Sequence, residues 1–124
     1  VKYRNTEQKK LKEKGSRLST QIGEKIRKLR KDCKLTLDQL AAQSESSKSY
    51  IWELENKPVA RPSAEKLKRI ADCLGTTVEY LLDAEGEVAK EDAADAHFYR
   101  KYRAMKPETK ERLQKMLDIW GDDE

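Results

Sequence analysis

Apolar residues recur at steps of three and four through most of the chain, which is the spacing of one face of an α-helix. Two short stretches of this kind, separated by only a few polar residues, meet between Thr36 and Glu55. Their apolar positions are Leu37, Leu40 and Ala41 in the first stretch and Ile51 and Leu54 in the second. Because the connection is too short for an ordinary helical hairpin, the pattern predicts a helix-turn-helix.

Polar residues suited to helix caps stand at the ends of these stretches. Thr36 and Gln39 form a capping box, in which each side chain accepts a hydrogen bond from the backbone N–H of the other. After the polar turn at residues 44–46, Ser47 is suited to cap the second helix. The rest of that helix carries side chains that can donate, accept or make apolar contact, as a helix in a major groove requires: Lys48, Ser49, Trp52 and Glu53.

Further periodic stretches bring the number of predicted helices between residues 19 and 83 to five. The first covers residues 20–32, a fourth is capped by Ser63 and stopped by Gly75, and Thr77 caps a short fifth one. Their apolar faces hold Ile22, Ile26, Leu29 and Cys33 in the first, Leu67, Ile70, Ala71 and Leu74 in the fourth, and Val78, Leu81 and Leu82 in the fifth. Five such helices can close one small core.

The loop after the second helix-turn-helix element contains two prolines, Pro58 and Pro62. A residue that precedes proline is disfavoured in the α conformation, so Lys57 is expected to be extended. Asn56 is then predicted to be the left-handed residue that ends the helix.

The ends of the chain differ in character from its middle. Residues 1–18 form a polar, basic arm that is either a solvated leader or a contact to DNA phosphates. Residues 84–93 are predicted to be an acidic linker whose end is helical. Residues 94–124 carry two more helical patterns, a C-terminal helical extension whose apolar positions include Phe98, Tyr102, Leu113, Met116, Leu117 and Trp120.

Charge is distributed unevenly along the 124 residues, of which 40% are charged. The formal net charge is +4, with a pI near 9.0. Residues 1–20 carry seven Lys or Arg against two acids, and residues 21–82 carry twelve against nine, whereas residues 83–96 carry one against six. The positive charge therefore gathers on the arm and the predicted five-helix domain, which permits binding to a polyanion.

Cysteine and histidine content argues against a metal site. Cys33 and Cys73 lack the spacing of a zinc site, and His97 is the only histidine. Each cysteine lies beside apolar helix positions, so both are expected to be buried free thiols. Without an apolar run of about 20 residues or a signal-peptide pattern, we expect a cytoplasmic protein that does not insert into membranes.

Three segments in fixed order and spacing resemble the Cro and phage-repressor type of helix-turn-helix, the XRE family of bacterial and phage regulators. They are IRKLRKDCKLTLDQLA, SKSYIWELEN and RPSAEKLKRIADCLGTTVEYLL, and the resemblance extends from about Ile22 to Leu82. It implies an all-α, five-helix lambda-repressor-like DNA-binding domain, here at residues 19–83, with double-stranded DNA as its partner.

The resemblance also implies roles for individual residues. The recognition helix would be Ser47 to Asn56, with Lys48, Ser49, Trp52 and Glu53 nearest the bases. Phosphate contacts would come from Thr36, Tyr50, Lys57 and Arg61. Arg30 and Glu55 match a pair that braces the recognition helix against the first helix; the alternative is two solvated charges.

Three positions depart from the family pattern. Leu37 replaces a glutamine that contacts phosphate, and is expected to be either core or exposed apolar surface. Glu45 and Ser46 occupy a turn in which glycine and a small apolar residue are usual, which questions its left-handed geometry. Trp52 replaces a small or polar residue; it either packs on a neighbouring helix or contacts a thymine methyl or the sugar backbone.

These features predict a sequence-specific DNA-binding transcriptional regulator, a repressor that binds a palindromic operator as a homodimer. The C-terminal helices would dimerise, pack back on the core or dock a partner protein. The last case gives the alternative, an antitoxin-type protein-binding module that autoregulates its operon. We expect neither an enzyme nor a cofactor, because no catalytic or nucleotide-binding motif occurs.

Overall fold

The computed structural model describes residues 21–58 and 62–121, and all regular structure within these ranges is α-helical. The helices are α1 over residues 21–32, α2 (Leu37–Gln43), α3 (Lys48–Asn56), α4 (Ala64–Leu74), α5 (Val78–Leu82), α6 (Lys90–Ala104) and α7 (Pro107–Gly121). The all-α prediction is confirmed, and α2 and α3 are the two predicted elements of the helix-turn-helix.

Side-chain caps start four of these helices at the predicted residues. At α2, Thr36 Oγ1 accepts from Gln39 N–H at 3.1 Å and Gln39 Oε1 accepts from Thr36 N–H at 2.8 Å, which completes the capping box. Ser47, Ser63 and Thr77 each accept a backbone N–H in the same way, at 3.1, 3.2 and 3.2 Å. Each cap satisfies a donor that the first turn of the helix leaves unpaired.

The end of α3 differs from the prediction. Asn56 is the last helical residue and is not left-handed; its side-chain amide donates to Trp52 O at 2.9 Å. The C-cap is Lys57, with φ −110° and ψ 131°. The clash that Pro58 imposes on the preceding residue already places Lys57 in the extended region, so the helix ends without a left-handed residue.

One hydrophobic core joins α1 to α5. Its buried members are Ile22, Ile26, Leu29, Leu40, Ala41, Ile51, Leu54, Leu67, Ile70, Ala71, Leu74 and Leu81. Leu37 is half-buried and packs against this core, so of its two expected positions it takes the core one. The basic arm at residues 1–18 lies outside the described residues.

The expectation that both thiols are buried is wrong for Cys33. The helix α1 ends at residue 32, so Cys33 falls in the following turn and is exposed, while Cys73 on α4 is half-buried. Both are free thiols, and burial, with the nearby Asp72 carboxylate, raises the pKa of Cys73. The apolar pattern of the first stretch includes Cys33, one residue beyond the end of α1.

The C-terminal extension meets the core through α6. This helix begins at Lys90, inside the predicted linker, and buries Ala93 to 2% exposure. Two ion pairs tie it to the core helices, Lys90 to Asp32 at 2.6 Å and Arg100 to Glu79 at 3.6 Å, and His97 Nε2 lies 3.9 Å from the Asp72 carboxylate. In contrast, α7 buries no residue.

Candidate nucleic-acid interface

The turn between α2 and α3 has the left-handed geometry, although no glycine is present. Glu45 takes φ 56°, and Ser46 N–H donates to Ala41 O at 2.8 Å. Ser44 is fully buried and its hydroxyl donates to Leu40 O at 2.7 Å. These hydrogen bonds fix the chain reversal that sets the angle between the two helices.

Side chains of α4 brace this turn from outside. Lys66 Nζ donates to Glu45 O at 2.7 Å and to Ser46 Oγ at 3.2 Å. Arg69 pairs with the Glu45 carboxylate at 3.0 Å. Contacts to two cations help to hold Glu45 in a conformation that costs a residue with a side chain roughly 1–2 kcal/mol.

The helix α3 has one buried face and one exposed face. Ile51 and Leu54 are buried in the core, whereas Trp52 is 47% exposed. The exposed positions include the four that the family pattern assigns to the bases, Lys48, Ser49, Trp52 and Glu53; Asn56, at the end of the helix, is exposed as well. Trp52 therefore stands on an open surface together with the predicted polar residues.

Acidic neighbours hold the two lysines of this surface. Lys48 lies 3.6 Å from Asp38 on α2, and Lys57 lies 3.6 Å from Glu53 one turn earlier. The Lys57 ammonium is also 6.0 Å from the centre of the Trp52 ring. All four charged groups are at least half exposed, so each pair is weak enough to exchange for another partner.

The predicted phosphate-contacting residues fall around the ends of α2 and α3. Thr36 is exposed at the start of α2, and Lys57 is exposed at the end of α3. Tyr50 is half-buried under Lys66, whose ammonium is 5.8 Å from the ring centre. Burial raises the pKa of Tyr50, which keeps its hydroxyl protonated as a donor. Arg61 lies outside the described residues.

Arg30 and Glu55 form a bidentate ion pair between α1 and α3. Arg30 Nε and Nη2 donate to the two carboxylate oxygens at 2.7 and 2.9 Å, and Nη1 donates to Leu35 O at 2.9 Å. The side chains are only 12% and 2% exposed. The hydrogen bond to Glu55 is the main cause that raises the pKa of Arg30. This pair is thus a buried brace for α3 rather than two solvated charges.

Sequence reasoning missed a second brace, Gly23. A Cβ at this position would meet the backbone carbonyl oxygens of Leu54 and Glu55, so α1 and the end of α3 are in direct backbone contact. Glycine inside an amphipathic helix signals such a close approach. Gly23 lies within the first predicted helix, directly after Ile22, so the sequence contained a sign of this contact.

Lys25 was also missed, although it ties α1 to the end of α5. Its ammonium donates to the carbonyl oxygens of Tyr80 at 2.8 Å and Asp83 at 2.5 Å. These carbonyls lie at the C-terminal end of α5, where a cation is stabilising. The pattern gave no sign of it, because lysine on a helix surface is usually solvated.

Comparison with known proteins places this geometry in a family. Residues 26–81 match the family described as Helix-turn-helix. The chain is 28% identical over 82 residues to the HTH-type transcriptional regulator SinR of Bacillus subtilis (strain 168), a match over 66% of this chain and 74% of that protein. It is 33% identical over 72 residues to the Immunity repressor protein of Bacillus phage phi105, over 58% of this chain and 49% of that protein. The segment is a DNA-binding helix-turn-helix domain of the Cro and phage-repressor type.

Among solved structures, the clp gene regulator ClgR of Corynebacterium glutamicum is similar at 26% identity, with a TM-score of 0.49. The match covers 82% of this chain and 92% of that one.

In the described residues, no three His, Cys, Asp or Glu side chains are grouped as a metal site would need. The same ranges contain no helix that is both long and apolar enough to cross a bilayer.

Beyond the helix-turn-helix domain, large apolar side chains of α6 and α7 stay exposed. Four of the six residues predicted for a dimer or partner interface are exposed, namely Phe98, Met116, Leu117 and Trp120, while Tyr102 and Leu113 are half-buried. Ile119, which the predicted stripe omitted, is 74% exposed. The two helices touch through Gln114, whose amide donates to Tyr102 Oη at 3.0 Å.

Proposed function

We propose that the domain represses transcription by binding a palindromic operator as a homodimer, with α3 in the major groove. The exposed face of α3 carries the proposal, because Ile51 and Leu54 anchor the helix from behind and leave its other side open. The groove admits an α-helix, and polar side chains on that helix read the base edges.

On this face, we assign base contacts to Lys48, Ser49, Trp52 and Glu53. Lys48 can donate to guanine, Ser49 can donate or accept, and Glu53 can accept from cytosine. Trp52 offers apolar area to a thymine methyl group. Binding would transfer Lys48 from Asp38 to the DNA, because that ion pair is exposed and weak.

The phosphate contacts are assigned to Thr36, Tyr50, Lys57 and Arg61. Thr36 stands at the start of α2, where N–H groups and the helix dipole favour an anion. The Tyr50 hydroxyl is a neutral donor, and Lys57 and Arg61 supply charge. Such contacts position the protein on DNA without reading its sequence.

Dimerisation is assigned to the C-terminal helices. A single module buries roughly 600–1,000 Å², which limits its specificity. A two-fold dimer places two recognition helices about 34 Å apart, in successive major grooves, and therefore binds a palindrome. Repression is supported by the 33% identity to a protein named as an immunity repressor.

The test is a band-shift titration with DNA from upstream of the protein's own gene, at several salt concentrations. A specific complex whose affinity falls as salt rises is expected, since phosphate contacts release counterions. Folded protein that forms no complex preferring this DNA over a scrambled fragment would overturn the proposal.

Alanine variants separate the two kinds of contact. Lys48→Ala and Ser49→Ala should change which operator positions tolerate substitution, by about 1–3 kcal/mol at the contacted base. Arg61→Ala should weaken binding to all sequences alike. A change of sequence preference in Arg61→Ala with none in Lys48→Ala would reverse the assignments.

A second candidate role rests on α7, which has no buried residue and exposes Ile119 and Trp120. In this alternative, the surface binds a partner protein, as an antitoxin binds its toxin, and DNA binding only autoregulates the operon. A partner that co-purifies with the full chain, and is lost when residues 94–124 are deleted, would favour this role over homodimerisation.

A further inference from the structure

A cleft of about 700 Å³ opens between α4, the start of α5 and α6, away from the exposed face of α3. Its buried lining comes from Ala71, Thr76 and Thr77, which are 1%, 2% and 6% exposed. Val78 and Ala104 add apolar surface. The volume falls within the range of small-molecule sites, roughly 300–1,000 Å³.

Charged side chains surround the opening, and cations outnumber anions among them. The cations are Lys68, Arg100 and Lys101, with His97 beside them, and the anions are Asp72 and Glu79. Glu79 already has a charged partner, since it lies 3.6 Å from Arg100, and the Asp72 carboxylate lies 3.9 Å from His97 Nε2. Neither Lys68 nor Lys101 forms an ion pair among the described residues.

Glu79 is an ionised carboxylate whose charge is paired with Arg100. A hydrogen bond from its own backbone N–H, with Arg100 and Thr77 adding to it, lowers the pKa of Glu79. The carboxylate is therefore ionised at neutral pH and occupied by Arg100. Lys68 on α4 and Lys101 on α6 are thus the cations of the cleft lining that have no ion-pair partner among the described residues.

The buried lining holds an unused polar group. The Thr76 hydroxyl is buried and has no hydrogen-bond partner among the described residues. Buried polar groups are usually paired, because an unpaired one loses its hydrogen bonds to water without gaining others. The lining therefore contains a polar position that the fold itself does not employ.

We propose that this cleft binds a small organic anion, a carboxylate or phosphate monoester with a compact apolar body. The acidic group would lie between Lys68 and Lys101, and the apolar body would contact Ala71 and Val78. This site is separate from the DNA-contacting face and does not depend on the function proposed above. An anion held by both lysines would also join α4 to α6 and stabilise their contact.

The probes are phenyl phosphate and benzoate, each titrated into the ¹⁵N-labelled full chain at constant ionic strength, with benzyl alcohol as the neutral probe. Saturable amide shifts confined to residues 68–79 and 97–104 are expected for at least one of the two anions. The neutral probe should bind at least about threefold more weakly. Whichever anion binds more tightly identifies the preferred acidic group.

Two double variants with equal charge change complete the test. Lys68→Ala with Lys101→Ala should weaken anion binding by at least about threefold, as expected for two exposed charges. Arg103→Ala with Lys110→Ala removes the same charge from side chains that lie over Tyr99 and Tyr102 rather than in the cleft. It should leave the affinity unchanged.

Three results would overturn the proposal. They are the absence of saturable shifts with either anion, equal binding of benzyl alcohol, and equal loss of affinity in the two double variants. The last would show that only net charge matters. Because no DNA is present, none of these results bears on the operator proposal.

Discussion

Glu45 shows how one residue can hold a strained turn. Its φ of 56° lies in the region that disfavours any residue with a Cβ. The carbonyl of Glu45 accepts from Lys66 and its carboxylate pairs with Arg69. The positive φ of Glu45 therefore destabilises the turn, while the contacts of Glu45 with Lys66 and Arg69 stabilise it. Different substitutions at this position can separate the two effects.

We predict that Glu45→Gly unfolds with a free energy about 1 kcal/mol higher than Glu45→Ala. Both variants lose the Arg69 pair, and only glycine relieves the strain of a positive φ. Urea unfolding followed by circular dichroism measures the difference. Equal stabilities would mean that the turn relaxes to a different conformation when the carboxylate is removed.

Thr76 gives a second residue-scale prediction. Its hydroxyl is buried and has no hydrogen-bond partner in the part of the chain that the structure describes, and valine has nearly the same shape without that group. Thr76→Val should therefore raise the free energy of unfolding by about 1 kcal/mol. The matched control is Thr77→Val, which removes the hydroxyl that caps α5 and should cost about 1 kcal/mol. A loss of stability in Thr76→Val would contradict the unpaired hydroxyl.

At the residue scale, local signals could be predicted and long-range ones could not. The Thr36 and Gln39 capping box involves neighbours in sequence, so the spacing sufficed. The prediction of a left-handed cap at Asn56 was wrong. The extended conformation that Pro58 imposes on Lys57 is enough to end α3 there. Lys25 binds carbonyls more than fifty positions away, which no local pattern indicates.

At the element scale, the packing of α1 against α3 depends on backbone contact as well as on side chains. A Cβ on Gly23 would lie 3.0 Å from Glu55 O and closer still to Leu54 O. Neither carbonyl can rotate away as a side chain can. The two helices would have to separate, and the Arg30–Glu55 pair between them would be strained.

We predict that Gly23→Ala destabilises the domain by about 1–3 kcal/mol or more, as overpacking does. The control is Gly121→Ala, at a helical glycine with nothing within 4 Å of the added Cβ, which should change stability by less than about 0.5 kcal/mol. Thermal unfolding of the two variants measures the contrast. A Gly23→Ala variant as stable as the control would place α1 farther from α3.

The helices themselves were predictable because their apolar residues recur with a helical period, and because α2, α3, α4 and α5 each begin at a polar cap. Their contacts were predictable only in part. The match of Arg30 and Glu55 to a family pair implied one α1–α3 contact, whereas the glycine at position 23 indicates a close approach without identifying α3 as the helix that it meets. The exposed positions of α3 followed from the buried ones, Ile51 and Leu54, by helical geometry.

At the scale of the whole molecule, α6 links two surfaces of different character. Toward its start it is fixed to the domain by Ala93 and by the Lys90–Asp32 pair. Its later part and α7 expose aromatic and aliphatic side chains to solvent. The sequence left open whether this extension dimerises or packs on the core, and the structure rules out full packing because α7 buries nothing.

Replacing Leu117 and Trp120 by serine tests the proposed dimer. Burying one large side chain contributes about 1.5–3 kcal/mol. In a two-fold interface each copy contributes both side chains, so the double variant removes this contribution from four side chains. Sedimentation should show a mass near the monomer's 14.4 kDa for the double variant and twice that for the parent chain. Glu111→Ser with Lys115→Ser, which removes a polar pair from the same helix, should leave the mass unchanged.

The same variants separate the dimer from the DNA contacts. A dimer binds the second half-site intramolecularly, which typically adds a factor of 10² or more to affinity. The Leu117 and Trp120 double variant should therefore lose about a hundredfold in affinity for a palindrome while its affinity for a single half-site stays constant, because α3 is unaltered. If affinity for the half-site fell equally, the C-terminal helices would support the fold of the domain instead of joining two copies of it.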